Sequence, residues 1–266
     1  MAPVDPLKRN TLSNAPASEG FVLRDNPRDS ALSLASIVEP KDLSVVFQPI
    51  VDLGAGGRVF AHEVLTRCSK PEFKNPTALF ERVVQGRCCG RLGRMIREIA
   101  VPLCSGVPLF VNVHPIELVD GWVVRADDPV LSHDHDIYLE ITESVSFSHF
   151  QLCMDVLREL RSRGGVHLVV DDLGAGHSNL KRIADLQPAV VKIDIQLVKD
   201  IHLHPRQQRL VRGIVRLCVD LGAKVVAEGI ETTDELAAVV DTGVHYGQGY
   251  LFARPAFPIP TVYWPG

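Results

Sequence analysis

Short β-branched apolar runs alternate with longer segments of helical periodicity through most of this chain. The runs are SVVFQPI (44–50), RVFAHEVLT (58–66), LFVNV (109–113), IYLEIT (137–142), HLVVDD (167–172), VVKID (190–194), KVVAE (224–228) and GYLF (249–252). Between them, TALFERVVQ follows Pro76, and proline suits the first position of a helix. RLGRMIREIAVPLC (91–104) carries an apolar stripe interrupted by Pro102, and HFQLCMDVLRELRSRGG (149–165) ends in Gly164–Gly165. PRQQRLVRGIVRLCVDLG (205–222) is amphipathic and TTDELAAVVDTG (232–243) has a Thr/Asp start; both stop at glycine, a common helix terminator. Strands interleaved with helices predict a parallel sheet covered by helices. Eight is the number that closes an α/β barrel. The runner-up, an open doubly wound sheet, lacks its signature. No G-x-G-x-x-G turn opens a helix after the first run, and Gly54-Ala55-Gly56-Gly57 reads as a loop between two strands.

Ahead of the alternating region, residues 1–29 are rich in Pro, Ser, Asn and charge and read as a flexible tail. Residues 30–40 read as a short helical lead-in that Pro40 stops, and residues 41–260 as the barrel. A single α/β barrel fits a chain of 266 residues.

Charge narrows the partners. The formal net charge of −4 supplies no field for polymeric nucleic acid, which is bound by neutralising phosphates. A small phosphate ester remains compatible, because bound cations can supply positive charge locally. The six cysteines form no C-x-x-C pair and suggest free thiols in a reducing compartment. The N-terminal stretch lacks an apolar signal-peptide core, and no segment has the roughly 20 apolar residues of a membrane span. The expectation is a soluble, cytoplasmic protein with no membrane insertion.

The ends of the runs carry the chemistry. The second presents Glu63, with Arg67 beyond it; the third reaches Asn112; the fourth gives Glu140 and then Glu143. The fifth ends in Asp171–Asp172, the sixth gives Lys192 and Asp194, the seventh Glu228 with Glu231 following, and the last carries Gln248 at its start. In a barrel these ends meet on one face, where active sites of this fold sit. Crowded carboxylates repel each other and lose solvation, a conflict that divalent cations remove. A hard oxygen set without essential His or Cys favours Mg²⁺ or Mn²⁺ over Zn²⁺. A bridging carboxylate could hold two such cations roughly 4 Å apart, an arrangement suited to in-line displacement at phosphorus. Lys192 could then orient the attacking water or stabilise developing negative charge.

Plainer readings stand beside these. A lone Glu is ordinarily a solvated surface group. Asp171–Asp172 could be a capping turn, Asn112 a turn cap, Lys192 a salt-bridge partner and Arg67 a structural fork. His133-Asp134-His135-Asp136 reads as a solvated loop on the face opposite the site, and the Arg-rich positions 206–216 as an exposed helix face.

At these residues the chain resembles the EAL-domain family of cyclic di-GMP phosphodiesterases. FQPIVDL (47–53), His62-Glu63-Val64-Leu65-Thr66-Arg67, FVNVHP, LEITES, VVDDLGAGHSN, VVKID, VAEGIET and YGQGYLFARP find counterparts in the family's order, from about residue 41 to 256. The resemblance implies a TIM-like (β/α)8 barrel with an atypical antiparallel first strand. It implies hydrolysis of cyclic di-GMP to linear pGpG, as part of bacterial second-messenger signalling. Glu63, Asn112, Glu140 and Asp171 match ligands of a first cation, and Asp171 and Asp172 serve a second. Glu228 matches an acidic group that binds metal or water and assists as base. Lys192 and Gln248 match residues near the hydrolytic water. Gln48, Arg67 and Asp194 fall where the dinucleotide is touched, and Glu143 and Glu231 where the loop after the fifth strand is steadied. A homodimer is implied, and regulation is expected from the tail or a protein partner. The alternatives are a catalytically weak sensor of the same dinucleotide and a protein-interaction module. The departures lie in Asp171-Asp172-Leu173-Gly174-Ala175-Gly176-His177-Ser178-Asn179, where Leu173, His177 and Asn179 bear on dimer coupling and rate. Cys68 and Ala189 depart at positions that bear on substrate affinity.

Overall fold

The structure, a computed structural model, describes residues 33–142, 150–162, 164–175 and 180–265. The tail at 1–29, Glu143 and His177–Asn179 lie outside the described residues.

Eight strands close into one barrel in sequence order. They are β1 (Leu43–Asp52), β2 (Arg58–Cys68), β3 (Leu109–Asn112), β4 (Ile137–Thr142), β5 (Val166–Leu173), β6 (Val190–Ile193), β7 (Lys224–Ala227) and β8 (Tyr246–Gly247). β1 runs antiparallel to both β2 and β8, and every other neighbouring pair is parallel. The sequence explains the exception. β1 and β2 are joined by a five-residue turn too short for a crossover helix, and antiparallel strands alone can be joined that way. Asp52 closes the turn by accepting bonds from the backbone N–H groups of Gly54 and Ala55. Gly56 and Gly57 take the left-handed conformations that complete it.

Helices α1 (Pro76–Gln85) and α2 (Cys89–Ala100) link β2 to β3, and α3 (Pro115–Val119) follows β3. Then come α4 (Phe150–Ser162), α5 (Leu180–Leu186), α6 (Ile195–Val198), α7 (Pro205–Asp220) and α8 (Thr233–Asp241). The short α3, α5 and α6 hold too few residues to give a periodic signal, so pattern alone does not reveal them. Before the barrel, Leu34–Ser36 and Pro40–Asp42 each form one 3-10 turn. Pro40 opens the second turn instead of ending a helix: its missing N–H is unneeded at a first helical position, and Asp42 accepts from the Glu39 N–H.

The eighth run needs correction. GYLF is not a strand; β8 is the two-residue Tyr246–Gly247 just before it. Gly249 abuts the backbone of Ile230 so closely that a Cβ there would lie 2.0 Å from its carbonyl oxygen. The chain turns at that point, and Phe252 is buried among the β7 and α8 residues outside the barrel. Gln248 therefore stands at the C-terminal end of the last strand, not at its start.

Alternation along the strands builds two layers inside the barrel. The lower layer is apolar and aromatic: Ile50, Ala61, Phe110, Tyr138, Val169, Val190 and Val226, with Phe60 and Tyr246 packed against them. Phe110 stacks on Tyr138 at 4.5 Å and Phe60 on Tyr246 at 4.0 Å, plugging the N-terminal end. Two residues further along each parallel strand stands a polar group: Asn112, Glu140, Asp171, Lys192, Glu228 and Gln248. Glu63 lies two residues beyond Ala61, and on reversed β1 Gln48 lies two before Ile50. The intervening residues, Val111, Leu139, Val170, Val191, Val225 and Ala227 among them, face outward into the helix-covered core.

Candidate active site

The polar layer is a carboxylate cluster built around one ammonium group. Lys192 on β6 is fully buried, and its Nζ lies 2.6 Å from Glu228 Oε1, 2.8 Å from Glu140 Oε1, 3.2 Å from Glu63 Oε2 and 3.6 Å from Asp171 Oδ1. Four carboxylates from β2, β4, β5 and the end of β7 thus share one cation.

Neutral amides complete the ring. Gln248 Nε2 donates to Glu63 Oε2 at 2.6 Å and to Gln48 Oε1 at 3.2 Å. Gln48 Nε2 in turn donates to the Ala253 carbonyl at 3.2 Å. Asn112 Nδ2 donates to Glu63 Oε1 at 3.3 Å.

Asp172 joins by a local break in the strand. Adjacent strand residues point to opposite faces, which would send Asp172 outward. Its φ of 61° and the register shift against β6 between Val170 and Leu173 prevent this. Carboxylate oxygens of Asp171, Asp172 and Glu228 come within 4.8 Å of one another. A non-glycine residue in that conformation is uncommon, and such backbone strain concentrates at functional sites.

The cluster is electrostatically unbalanced. Burial pushes the Glu140 carboxyl well above its ordinary range, and the negative charge of Glu63 adds to this. Burial likewise raises Asp171, and it raises Glu228 to about 8. Burial alone would raise Glu63 too, but the Lys192 charge and the hydrogen bonds from Gln248, Lys192 and Asn112 win, leaving it below its ordinary value. Burial opposes the Lys192 charge, yet its carboxylates outweigh that and hold the ammonium well above its ordinary range. Glu140 Oε2 has no hydrogen-bond partner, and Glu140 Oε1 and Asp171 Oδ1 meet Lys192 only as ion pairs. Buried anionic oxygens left over in this way, with hard oxygen donors and no thiol among them, fit a hard divalent cation.

A pH dependence follows. A carboxyl raised in the folded state binds its proton more tightly there than in the unfolded chain. Its contribution to stability is complete below the unfolded value near 4.5 and is lost as pH rises through the folded value, about 8 for Glu228. Metal-free protein is therefore expected to melt lower at pH 8 than at pH 5.5, and added Mn²⁺ to raise the melting temperature more at pH 8, where it competes with fewer protons. Thermal melts at both pH values check this; an equal metal-induced shift at the two would contradict it.

Above the cluster opens a cavity of about 430 Å³ lined by Gln48, Glu63, Leu65, Ile195, Glu228, Glu231 and Tyr250, among others. Its size suits a small-molecule ligand. The apolar rim of Leu65, Ile195 and Tyr250 escaped the sequence reading, because neither alternation nor charge marks it and Tyr250 lay in the misread eighth run. Glu231 sits on the rim, its Oε2 accepting from Lys199 Nζ at 2.9 Å. Arg67 and Asp194 bond elsewhere: Arg67 Nη1 donates to the Thr66 carbonyl, and Asp194 Oδ1 caps α6 by accepting from the Gln196 N–H. The 133–136 segment lies at the barrel's other end, where His133 Nε2 is 3.0 Å from the Val107 carbonyl and Asp134 accepts from the Gly106 N–H.

Fold and site together define a barrel with a reversed first strand and an acidic, lysine-centred pocket at the C-terminal strand ends. The EAL domain profile matches residues 30–255, and this chain belongs to the EAL-domain family. It is 31% identical over 237 residues to the cyclic di-GMP phosphodiesterase PdeR of Escherichia coli, covering 84% of this chain and 35% of PdeR. It is 30% identical over 239 residues to the cyclic di-GMP phosphodiesterase RocR of Pseudomonas aeruginosa, covering 84% of this chain and 60% of RocR. The chain thus spans between a third and three-fifths of these two relatives. Among solved structures, a calcium and cyclic di-GMP complex of Klebsiella pneumoniae BlrP1 superposes with a TM-score of 0.71 at 31% identity, covering 82% of this chain and 57% of that one. A manganese and cyclic di-GMP complex of BlrP1 superposes with a TM-score of 0.70 at 30% identity, with coverages of 83% and 57%. Among the described residues no helix is long and apolar enough to cross a membrane.

Proposed function

We propose that this chain hydrolyses one 3′,5′-phosphodiester of cyclic di-GMP to linear pGpG with two divalent cations, Mg²⁺ or Mn²⁺. The observation that carries the reading is the convergence of Glu63, Glu140 and Asp171, from β2, β4 and β5, and Glu228, just after β7, within 3.6 Å of the buried Lys192 ammonium. The relatives named for this activity and the BlrP1 complexes with the dinucleotide support it.

Glu63, Asn112, Glu140 and Asp171 are assigned to one cation, with Asp171 and Asp172 serving the second. Cations held by these residues would supply an acidified water and charge compensation at the leaving oxygen. Glu228 helps to hold cation or water and accepts a proton; its raised carboxyl suits a general base near neutral pH. Lys192 stabilises negative charge developing on the phosphoryl oxygens, and Gln248 orients water through its amide. Gln48, Arg67 and Asp194 contact the dinucleotide, while Glu143 and Glu231 steady the loop after β5. Residues 41–260 form the catalytic unit, and we further propose a cytoplasmic homodimer regulated through the tail or a protein partner.

Purified protein with Mn²⁺ or Mg²⁺ is expected to convert cyclic di-GMP to pGpG, and a chelator to abolish conversion. Chromatography of the nucleotide checks this. Tight binding with unchanged nucleotide would make the protein a sensor, and no binding in the presence of metal would leave an interaction module.

A further inference from the structure

We infer that Glu235 is a positioning residue for the active site, clamping the loop after β7 to the loop after β6. The inference rests on the proposed function only for its catalytic consequence. Glu235 lies in the first turn of α8, and although a carboxylate, it is completely buried. Buried carboxylates need partners, and this one has three backbone donors from two separate loops. Its Oε2 accepts from the Glu231 N–H at 2.9 Å and the Thr232 N–H at 3.1 Å, both after β7. Its Oε1 accepts from the Asp200 N–H at 3.0 Å, beyond α6. Asp200 has a φ of 54°, so this bond holds a backbone conformation that a non-glycine residue seldom adopts. Lys199 Nζ stands 3.8 Å from Glu235 Oε1 and partly offsets the buried charge.

The clamped segment begins at a reacting group. Glu228 lies three residues before Glu231, and the intervening backbone has no slack. A Cβ on Gly229 would meet Ile195 at 2.3 Å, and the Ile230 N–H donates to the Gln248 carbonyl at 3.0 Å. Glu228 and Gln248 are thus attached to one short piece of chain, pinned at its far end by Glu235. The plainer view, that Glu235 only caps α8, accounts for the Thr232 contacts. It does not account for the bond to Asp200, which belongs to no part of that helix.

Amide exchange, Mn²⁺ titration and turnover of the full chain, each comparing wild type with Glu235→Ala and Glu235→Gln, test the inference. Metal-free Glu235→Ala is expected to lose exchange protection at Asp200, Glu231 and Thr232 while core strand amides stay protected. Its Mn²⁺ dissociation constant should rise about tenfold and kcat fall by a similar factor, with KM changing less, as when outer partners of a metal site are removed. Glu235→Gln retains one good acceptor and should fall between the two. Asp234→Asn, exposed on the same helix turn, should match wild type. A merely structural role would lower the number of binding sites without changing the dissociation constant, and that result, or unchanged protection at Asp200, overturns the inference. Wild type that turns over no cyclic di-GMP, while Glu235→Ala still loosens those amides, refutes the assigned function and leaves the clamp standing.

Discussion

Lys192→Met is expected to lower the stability of metal-free protein by about 3–5 kcal/mol, the usual cost of removing one partner from a buried ion pair. Here the substitution strips the shared cation from four carboxylates at once. Stranded carboxyls neutralise by taking up protons before they remain charged without compensation, so the loss should be greater at pH 8 than at pH 5.5. At roughly 2–4 °C per kcal/mol for a domain of this size, the melting temperature should drop by on the order of 10 °C. Added Mn²⁺ should restore part of it by binding the folded state. Turnover should fall by about 100- to 1,000-fold even with metal present, the range seen when one preorganised stabiliser of transition-state charge is removed. Thermal melts with and without Mn²⁺, alongside a nucleotide assay, check both halves. An unchanged metal-free melting temperature would mean that Lys192 is not what holds the cluster together.

The second prediction pairs two effects of opposite sign. Asp171→Asn should reduce turnover by at least about 100-fold, since even the outer partners of a metal site are worth 10- to 100-fold. The same change should leave the metal-free protein as stable as wild type at pH 8, or more so. Asp171 is buried, its carboxyl is raised by that burial, and the negative charge of Glu63 adds to its cost. An amide of the same shape removes that charge. Glu63→Ala should lose turnover to a similar degree without the stability gain, because Glu63 is the carboxylate that Lys192, Gln248 and Asn112 all satisfy. Turnover retained in either variant would mean that the ligand assignments are wrong. A large loss of metal-free stability in Asp171→Asn would mean that the cluster is not overcharged.

Much of this was legible in the sequence because it is local. The period of two that places Phe110, Tyr138, Val169, Val190 and Val226 inside also places Asn112, Glu140, Asp171, Lys192 and Glu228 on the same inner face, one layer higher. The Gly-rich stretch at 54–57 likewise read as a loop between two strands, while the antiparallel pairing of β1 and β2 came from the family resemblance and is explained by the shortness of that turn. The eighth strand was misread for the same reason. GYLF has the composition of a strand, but its backbone is turned by contact between Gly249 and Ile230, which no local pattern encodes. Asp172 was grouped with the site from its place at the end of the fifth run and from the family resemblance, but alternation alone would point it outward; a positive φ brings it to the mouth beside Asp171 and Glu228.

The sequence by itself therefore determined the family, through its ordered motifs, and the polar residues that end the second to seventh runs, since both lie in the order of residues along the chain. Tertiary structure alone decided that Lys192 stands at the centre of the carboxylates, that Glu228 and Gln248 hang from one pinned segment, and that Glu235 ties two loops together. Such relations depend on barrel closure, which brings Gln248 and Glu63, 185 residues apart, to 2.6 Å. No periodicity along a chain records a distance of that kind.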